Sequence, residues 1–191
     1  MNTPSHAIIN LALLGRKAAP ENNLLIVIGG LLPDIPIFLF YAWAKLVARL
    51  PESRIWSEAY YYPIVQDTVA LFHSIPLVIL GWGVAVYFKQ SWLQLFCLSL
   101  LLHDLLDLPV HNDDAHRHFF PFSDYRFISP ISYWDRNHHA SVVAFVEWMF
   151  VLLATVRNFG LVQSMIGKGL MILVNIVYGL GYFVFFRFLS D

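Results

Sequence analysis

Five apolar runs, each close to the roughly 20 residues that cross a bilayer as a helix, limit what this chain can fold into. They cover about 24–47, 69–88, 92–108, 140–156 and 169–186. Hydrophobic residues make up 58% of the chain and charged residues 13%, about half the charge of an ordinary globular domain. A net charge of −1 gives no electrostatic ground for nucleic-acid binding, and one cysteine, Cys97, excludes an intrachain disulfide. The expectation is an all-α, polytopic membrane helical bundle. It forms one integral-membrane domain over 1–191, with four to five apolar helices and the lipid bilayer as its surroundings.

A short helix precedes the first run. Thr3 is the expected N-cap, Pro4 the first helical residue and Gly15 the terminator, with Arg16 and Lys17 following. Gly29-Gly30 and Pro33-Asp34-Ile35-Pro36 then interrupt the first run. Proline disfavours helix at the residue before it, here Leu32 and Ile35, which predicts a broken segment.

Ionisable residues are unevenly spread over this apolar background. Six of the eight histidines and six of the thirteen acids fall between positions 103 and 139. The other histidines, His6 and His73, and the isolated Asp34 sit among apolar residues. A charged group at the centre of a membrane helix costs roughly 2.5–3.5 kcal/mol, so such groups are functional candidates.

His103-Asp104-Leu105-Leu106-Asp107 closes the third run. On a helix His103 and Asp107 are one turn apart on one face, and together they can grip a divalent metal. The plainer alternative is a His–Asp hydrogen bond at a helix end. Asp104 points elsewhere and reads as a supporting polar group. Asp34 is either an N-cap for the following helix or a metal ligand and catalytic base, and the two roles are compatible. His73 is a core histidine or a ligand. His6, Asp34, His73, His103 and Asp107 lie on four apolar elements, so they can converge only inside a bundle, where metals are often held between facing helices.

The order His6, Leu31-Leu32-Pro33-Asp34-Ile35-Pro36, Phe72-His73-Ser74, His103-Asp104-Leu105-Leu106-Asp107 and Phe120-Pro121-Phe122-Ser123 resembles the YdjM-like bacterial inner-membrane proteins. These are regarded as metal-dependent hydrolases and are distantly similar to the zinc-dependent phospholipase C and single-strand nuclease superfamily. The resemblance spans roughly 1–140 and implies that His6, Asp34, His73, His103 and Asp107 are metal ligands, with Asp107 bridging two ions. It also implies a bacterial cytoplasmic membrane as the location. The chain departs from the superfamily at three places. Met1 stands where the soluble enzymes have tryptophan, Asp113 stands where they have a further histidine, and His138 and His139 lack an acid four residues on. The expectation is therefore one or two divalent ions, zinc first and manganese or iron as alternatives.

The loop 109–139 contributes to the presumed site. His111, Asp113, His116, His118, His138 and His139 are possible additional ligands, and Arg117, Arg126 and Arg136 possible phosphate contacts. An equally open alternative is a charged loop satisfied by its own aspartates. The function expected is metal-assisted hydrolysis of a phosphoester or other lipid-like, amphiphilic substrate. The other classes are a non-catalytic scaffold or metal-binding protein and, with less architectural support, a metal or proton transporter.

Overall fold

The computed structural model describes residues 1–188, and every regular element among them is helical. Helix α1 (Thr3–Leu14) is followed by α2 (Asn23–Leu31) and α3 (Ile35–Ala42), then by a short α4 (Glu52–Ser57). Helices α5 (Pro63–Phe72) and α6 (Ile75–Tyr87) are joined at a bend of 40°. The bundle is completed by α7 (Ser91–Asp107), α8 (Ala140–Asn158) and α9 (Met165–Phe183).

Four stretches are long and apolar enough to cross a membrane: Pro20–Val47, Ser91–Val110, Ala140–Asn158 and Met165–Phe186. The bent α5–α6 pair makes a fifth if it counts as one span. The distribution of side chains agrees with a lipid solvent. Leu39, Leu80, Leu153, Val156 and Leu170 are exposed, while Ser5, His6, Asn10, Ser99, His103 and Asn158 are buried. An outside this apolar around an inside this polar would be unstable in water but suits a bilayer, which cannot satisfy polar groups. Leu153→Lys, at a mostly exposed position, is accordingly expected to impair membrane insertion by about 3 kcal/mol. A glycosylation-based insertion assay checks this, and unchanged insertion would contradict a lipid-facing Leu153.

At the centre lies α1, too short to span, with every residue from Ser5 to Ala12 buried. It packs on α2, α7 and α8. Two glycines of α2 allow close approach on its two sides, Gly29 to α7 and Gly30 to α1. A Cβ on Gly29 would lie 2.7 Å from the Ser99 Cβ of α7, and one on Gly30 would lie 3.1 Å from the His6 carbonyl of α1. The interior is then stitched by side-chain amides and a hydroxyl. Asn10 donates to the Ser99 carbonyl at 2.8 Å, Ser99 Oγ donates to the Ile26 carbonyl at 2.7 Å, and Asn158 donates to the Ile8 carbonyl at 2.8 Å.

Several local expectations differ from the structure. The first run is not broken: Leu32 and Ile35 are both right-handed helical, and a single 3₁₀ turn, Leu32–Asp34, joins α2 to α3. Each proline sits in the first turn of the helical piece that follows it, where a missing N–H costs little. Thr3 is not the N-cap of α1. Asn2 occupies that position, and the Thr3 hydroxyl donates instead to Asp34 Oδ2 at 2.5 Å. Asp34 stands at the N-cap position of α3 but makes no capping bond, because its carboxylate is turned inward. The second run starts earlier, at Pro63, and His73 falls at its bend, where Ser74 caps α6 by accepting from the Leu77 N–H.

Candidate metal centre

The end of α7 supplies His103 and Asp107, one turn apart and both buried. The 3₁₀ turn of the first span brings Asp34 against them, and the bend between α5 and α6 brings His73. These four residues each offer a ligand atom within 4.8 Å of all the others. Backbone carbonyls orient both imidazoles: His103 Nδ1 lies 2.9 Å from the Gly30 oxygen and His73 Nδ1 lies 2.9 Å from the Val69 oxygen. A carbonyl oxygen only accepts, so each Nδ1 carries a proton, and in the neutral ring Nε2 is the nitrogen with the lone pair. Neither Nε2 makes a hydrogen bond. They face Asp34 Oδ1 at 3.5 Å (His73) and 3.7 Å (His103), and His103 Nε2 lies 3.2 Å from Asp107 Oδ2. Buried, backbone-anchored imidazoles with unmatched lone pairs beside carboxylates are the pattern a metal ion satisfies.

Asp107, His111 and His116 form a second such group, again with ligand atoms within 4.8 Å of one another. Asp107 therefore belongs to both, and its oxygens are divided between them. Oδ2 faces His103, whereas Oδ1 lies 3.2 Å from His111 Nε2. The Met1 α-ammonium group also meets Oδ1, at 2.6 Å. His111 Nδ1 is held by Asp114 Oδ2 at 2.9 Å, and the His116 ring stacks on His73 at 4.1 Å. Burial pushes His116 well below the usual histidine range, which favours the neutral imidazole a metal needs. His111 is raised instead: burial and the Met1 ammonium pull it down, but the Asp107 and Asp114 carboxylates outweigh them.

His6 lies beside both groups and inside neither. Its ring stacks on His103 at 3.7 Å, and its Nε2 is 3.0 Å from Asp107 Oδ1. Burial lowers its pKa to about 4. His118, also lowered by burial to about 4, contacts the His73 carbonyl through Nδ1 at 3.2 Å. The same nitrogen is 3.9 Å from Asp104, whose two buried carboxylate oxygens have no hydrogen-bond partner.

The loop 109–139 divides into ligand-like and solvated parts. His111, His116 and His118 turn inward because the loop is tied to the α5–α6 bend. The Ile75 N–H donates to the His118 carbonyl at 3.0 Å, and Ser74 Oγ donates to the Phe120 carbonyl. Asp113 is exposed at the rim, His139 is exposed, and His138 Nδ1 pairs with Asp135 at 2.6 Å, away from both groups. The three arginines are engaged elsewhere. Arg117 bridges Asp67 at 2.6 Å and Asp124 at 2.8 Å, Arg126 donates to the Ala115 carbonyl at 2.9 Å and to Gln66 at 2.8 Å, and Arg136 donates to the Phe185 carbonyl.

A cavity of about 640 Å³ opens onto the centre, with Asp34, His111 and His116 in its wall. Its outer wall is aromatic, formed by Phe38, Trp56, Tyr60, Tyr61, Tyr133 and Trp134. Sequence reasoning passed over these rings. The one visible signal was the Tyr60-Tyr61-Tyr62-Pro63 run just after an acidic and basic segment, a composition typical of a membrane interface. Glu147, an acid in the middle of the fourth apolar run that the sequence suggests is paired internally, is so paired: its Oε1 accepts from the Asn2 N–H at 2.9 Å and from Ser5 Oγ at 2.5 Å. That carboxylate caps α1 from across the bundle and holds its first turn at the centre.

The chain matches no protein-family model, no curated protein and no solved structure.

Proposed function

We propose that the protein is an integral-membrane, metal-dependent hydrolase that cleaves a phosphoester in an amphiphilic, lipid-like substrate. The observation that carries this reading is Asp107, a buried carboxylate shared by two histidine-rich groups beside an open cavity. Asp34, His73, His103 and Asp107 would hold one ion, and Asp107, His111 and His116 a second. Imidazole with carboxylate suits zinc, with manganese or iron as alternatives. A divalent ion bound there supplies Lewis acidity and water activated near neutral pH.

The chain's own groups do the remaining work. Asp34 lies between the histidine cluster and the cavity, so its carboxylate can accept a proton from a water arriving on the cavity side. The Thr3 hydroxyl fixes Asp34 Oδ2 and leaves Oδ1 turned to His73 and His103. The Gly30 and Val69 carbonyls keep two imidazoles in one tautomer throughout. Aromatic rings around the mouth favour a substrate that is part apolar. A bacterial cytoplasmic membrane is the location that accords with the YdjM-like resemblance.

Detergent-purified protein is expected to contain zinc, manganese or iron and to hydrolyse a phosphodiester lipid analogue in a chelator-sensitive manner. If it takes up none of the three metals on supplementation, the hydrolase assignment falls and a non-catalytic scaffold replaces it. Metal flux in proteoliposomes without turnover would instead identify a transporter.

A further inference from the structure

A second cavity, of about 420 Å³, lies between α8 and the end of α9. Its wall combines apolar and aromatic residues of α8 and α9, among them Ala144, Val177, Tyr178, Gly181 and Tyr182, with two charged ones, Glu147 and Arg136. Unlike the first cavity it contains none of the clustered histidines. The two are nevertheless neighbours, because Asn2, Tyr133 and Trp134 line both. Both helices bounding the second cavity are long and apolar enough to cross a membrane. The first cavity thus opens onto the candidate metal centre and the second is a largely apolar trough, with one shared wall between them.

We propose that the trough between α8 and α9 is a hydrocarbon-chain subsite, holding the tail of a substrate whose phosphate sits at the metal centre. This deepens the hydrolase reading and rests on it. A lipid with a phosphate head and an acyl tail has the two-part chemistry that the joined cavities present. Of the two charged residues, Glu147 has Oε1 taken up by Asn2 and Ser5 and Oε2 buried without a hydrogen-bond partner, and Arg136 donates to the Phe185 carbonyl. Gly181 keeps the trough open: a Cβ there would meet nothing within 4 Å, so a larger side chain fills space instead of displacing a neighbour.

The same hydrocarbon chemistry could come from a bulk bilayer lipid, and a labelling experiment separates the two sources. The full chain is reconstituted in phosphatidylcholine nanodiscs. It is then photolabelled with a phosphonate analogue of phosphatidylglycerol, which resists hydrolysis and carries a diazirine in one acyl chain. The matching diacylglycerol, with the same diazirine and no phosphorus headgroup, is the second probe. Zinc is expected to raise labelling of α9 residues 177–182 by the phosphonate several-fold, and to leave labelling by the diacylglycerol unchanged. Gly181→Leu should abolish the zinc-dependent increase. Gly169→Leu on the same helix, whose Cβ also meets nothing within 4 Å but which lies outside the trough, should preserve it.

Equal labelling by both probes, independent of zinc, would make the occupant a bilayer lipid and overturn the subsite. So would an increase that Gly181→Leu leaves intact. Zinc content is measured on the same samples, which distinguishes two kinds of failure. Protein that binds zinc without the labelling response loses the subsite alone, whereas protein that binds neither zinc nor, on supplementation, manganese or iron loses the hydrolase reading and the subsite with it.

Discussion

Asp107→Asn is expected to strip the protein of both ions while leaving the helical bundle folded. Asparagine keeps the shape of the side chain but removes the negative charge and one of the two oxygens that face different groups. Metal affinity should fall by more than about 100-fold, the upper range seen for residues that merely support a ligand. Hydrolysis should fall by at least about 1000-fold, since both the activated water and the charge stabilisation are lost together. The stoichiometry of other variants sharpens the test. His73→Ala should lose the ion shared with Asp34, and His116→Ala the other, each leaving one. His138→Ala should retain both, because His138 is paired with Asp135 outside the centre. Elemental analysis beside circular dichroism reads all four proteins. An Asp107→Asn variant that still carries two ions would refute the shared carboxylate.

The second large effect concerns how the centre is assembled. Gly29→Ala should destabilise the protein by about 1–3 kcal/mol through overpacking, although alanine is the better helix former by about 1 kcal/mol. The added methyl would sit 2.7 Å from the Ser99 Cβ, which cannot rotate away, and 3.1 Å from the Phe96 carbonyl. Relief requires α2 to move off α7, which would also pull the Gly30 carbonyl from His103 Nδ1. Gly83→Ala, on the open side of α6, is the control: no atom lies within 4 Å of its Cβ, so stability should hold or rise. Thermal unfolding in detergent compares them. Equal melting of the two variants would show that α2 and α7 are not locked by this contact.

The same two contrasts mark where sequence reasoning reaches and where it stops. His103 and Asp107 were legible because a helix turn places positions four apart on one face, whatever surrounds the helix. The apolar runs were legible because bilayer thickness sets a length that composition alone reveals. Asp34 was noticed for its isolation, but its flanking prolines suggested a break that the structure does not contain. Proline is costly in a helix interior and nearly free in a first turn, and the intervening 3₁₀ turn gives each proline such a position. Within the loop, nothing in local pattern separates His116 and His118, which turn inward, from His138 and His139, which do not. Their difference comes from bonds between the loop and the α5–α6 bend, more than forty residues away in sequence.

By itself, then, the sequence determined the solvent and the chemistry: lipid outside, from apolar runs of spanning length, and a set of imidazoles and carboxylates with no apolar reason to be there. Only the tertiary structure decided which of them meet. A twelve-residue helix, too short to span, is carried to the middle of the bundle by small residues on its neighbours and by a carboxylate from α8. That placement aligns Thr3 with Asp34 and His6 with His103, and it depends on contacts between residues far apart in the chain. Periodicity reports the geometry of one helix, and convergence of several is set by how closely their backbones can approach.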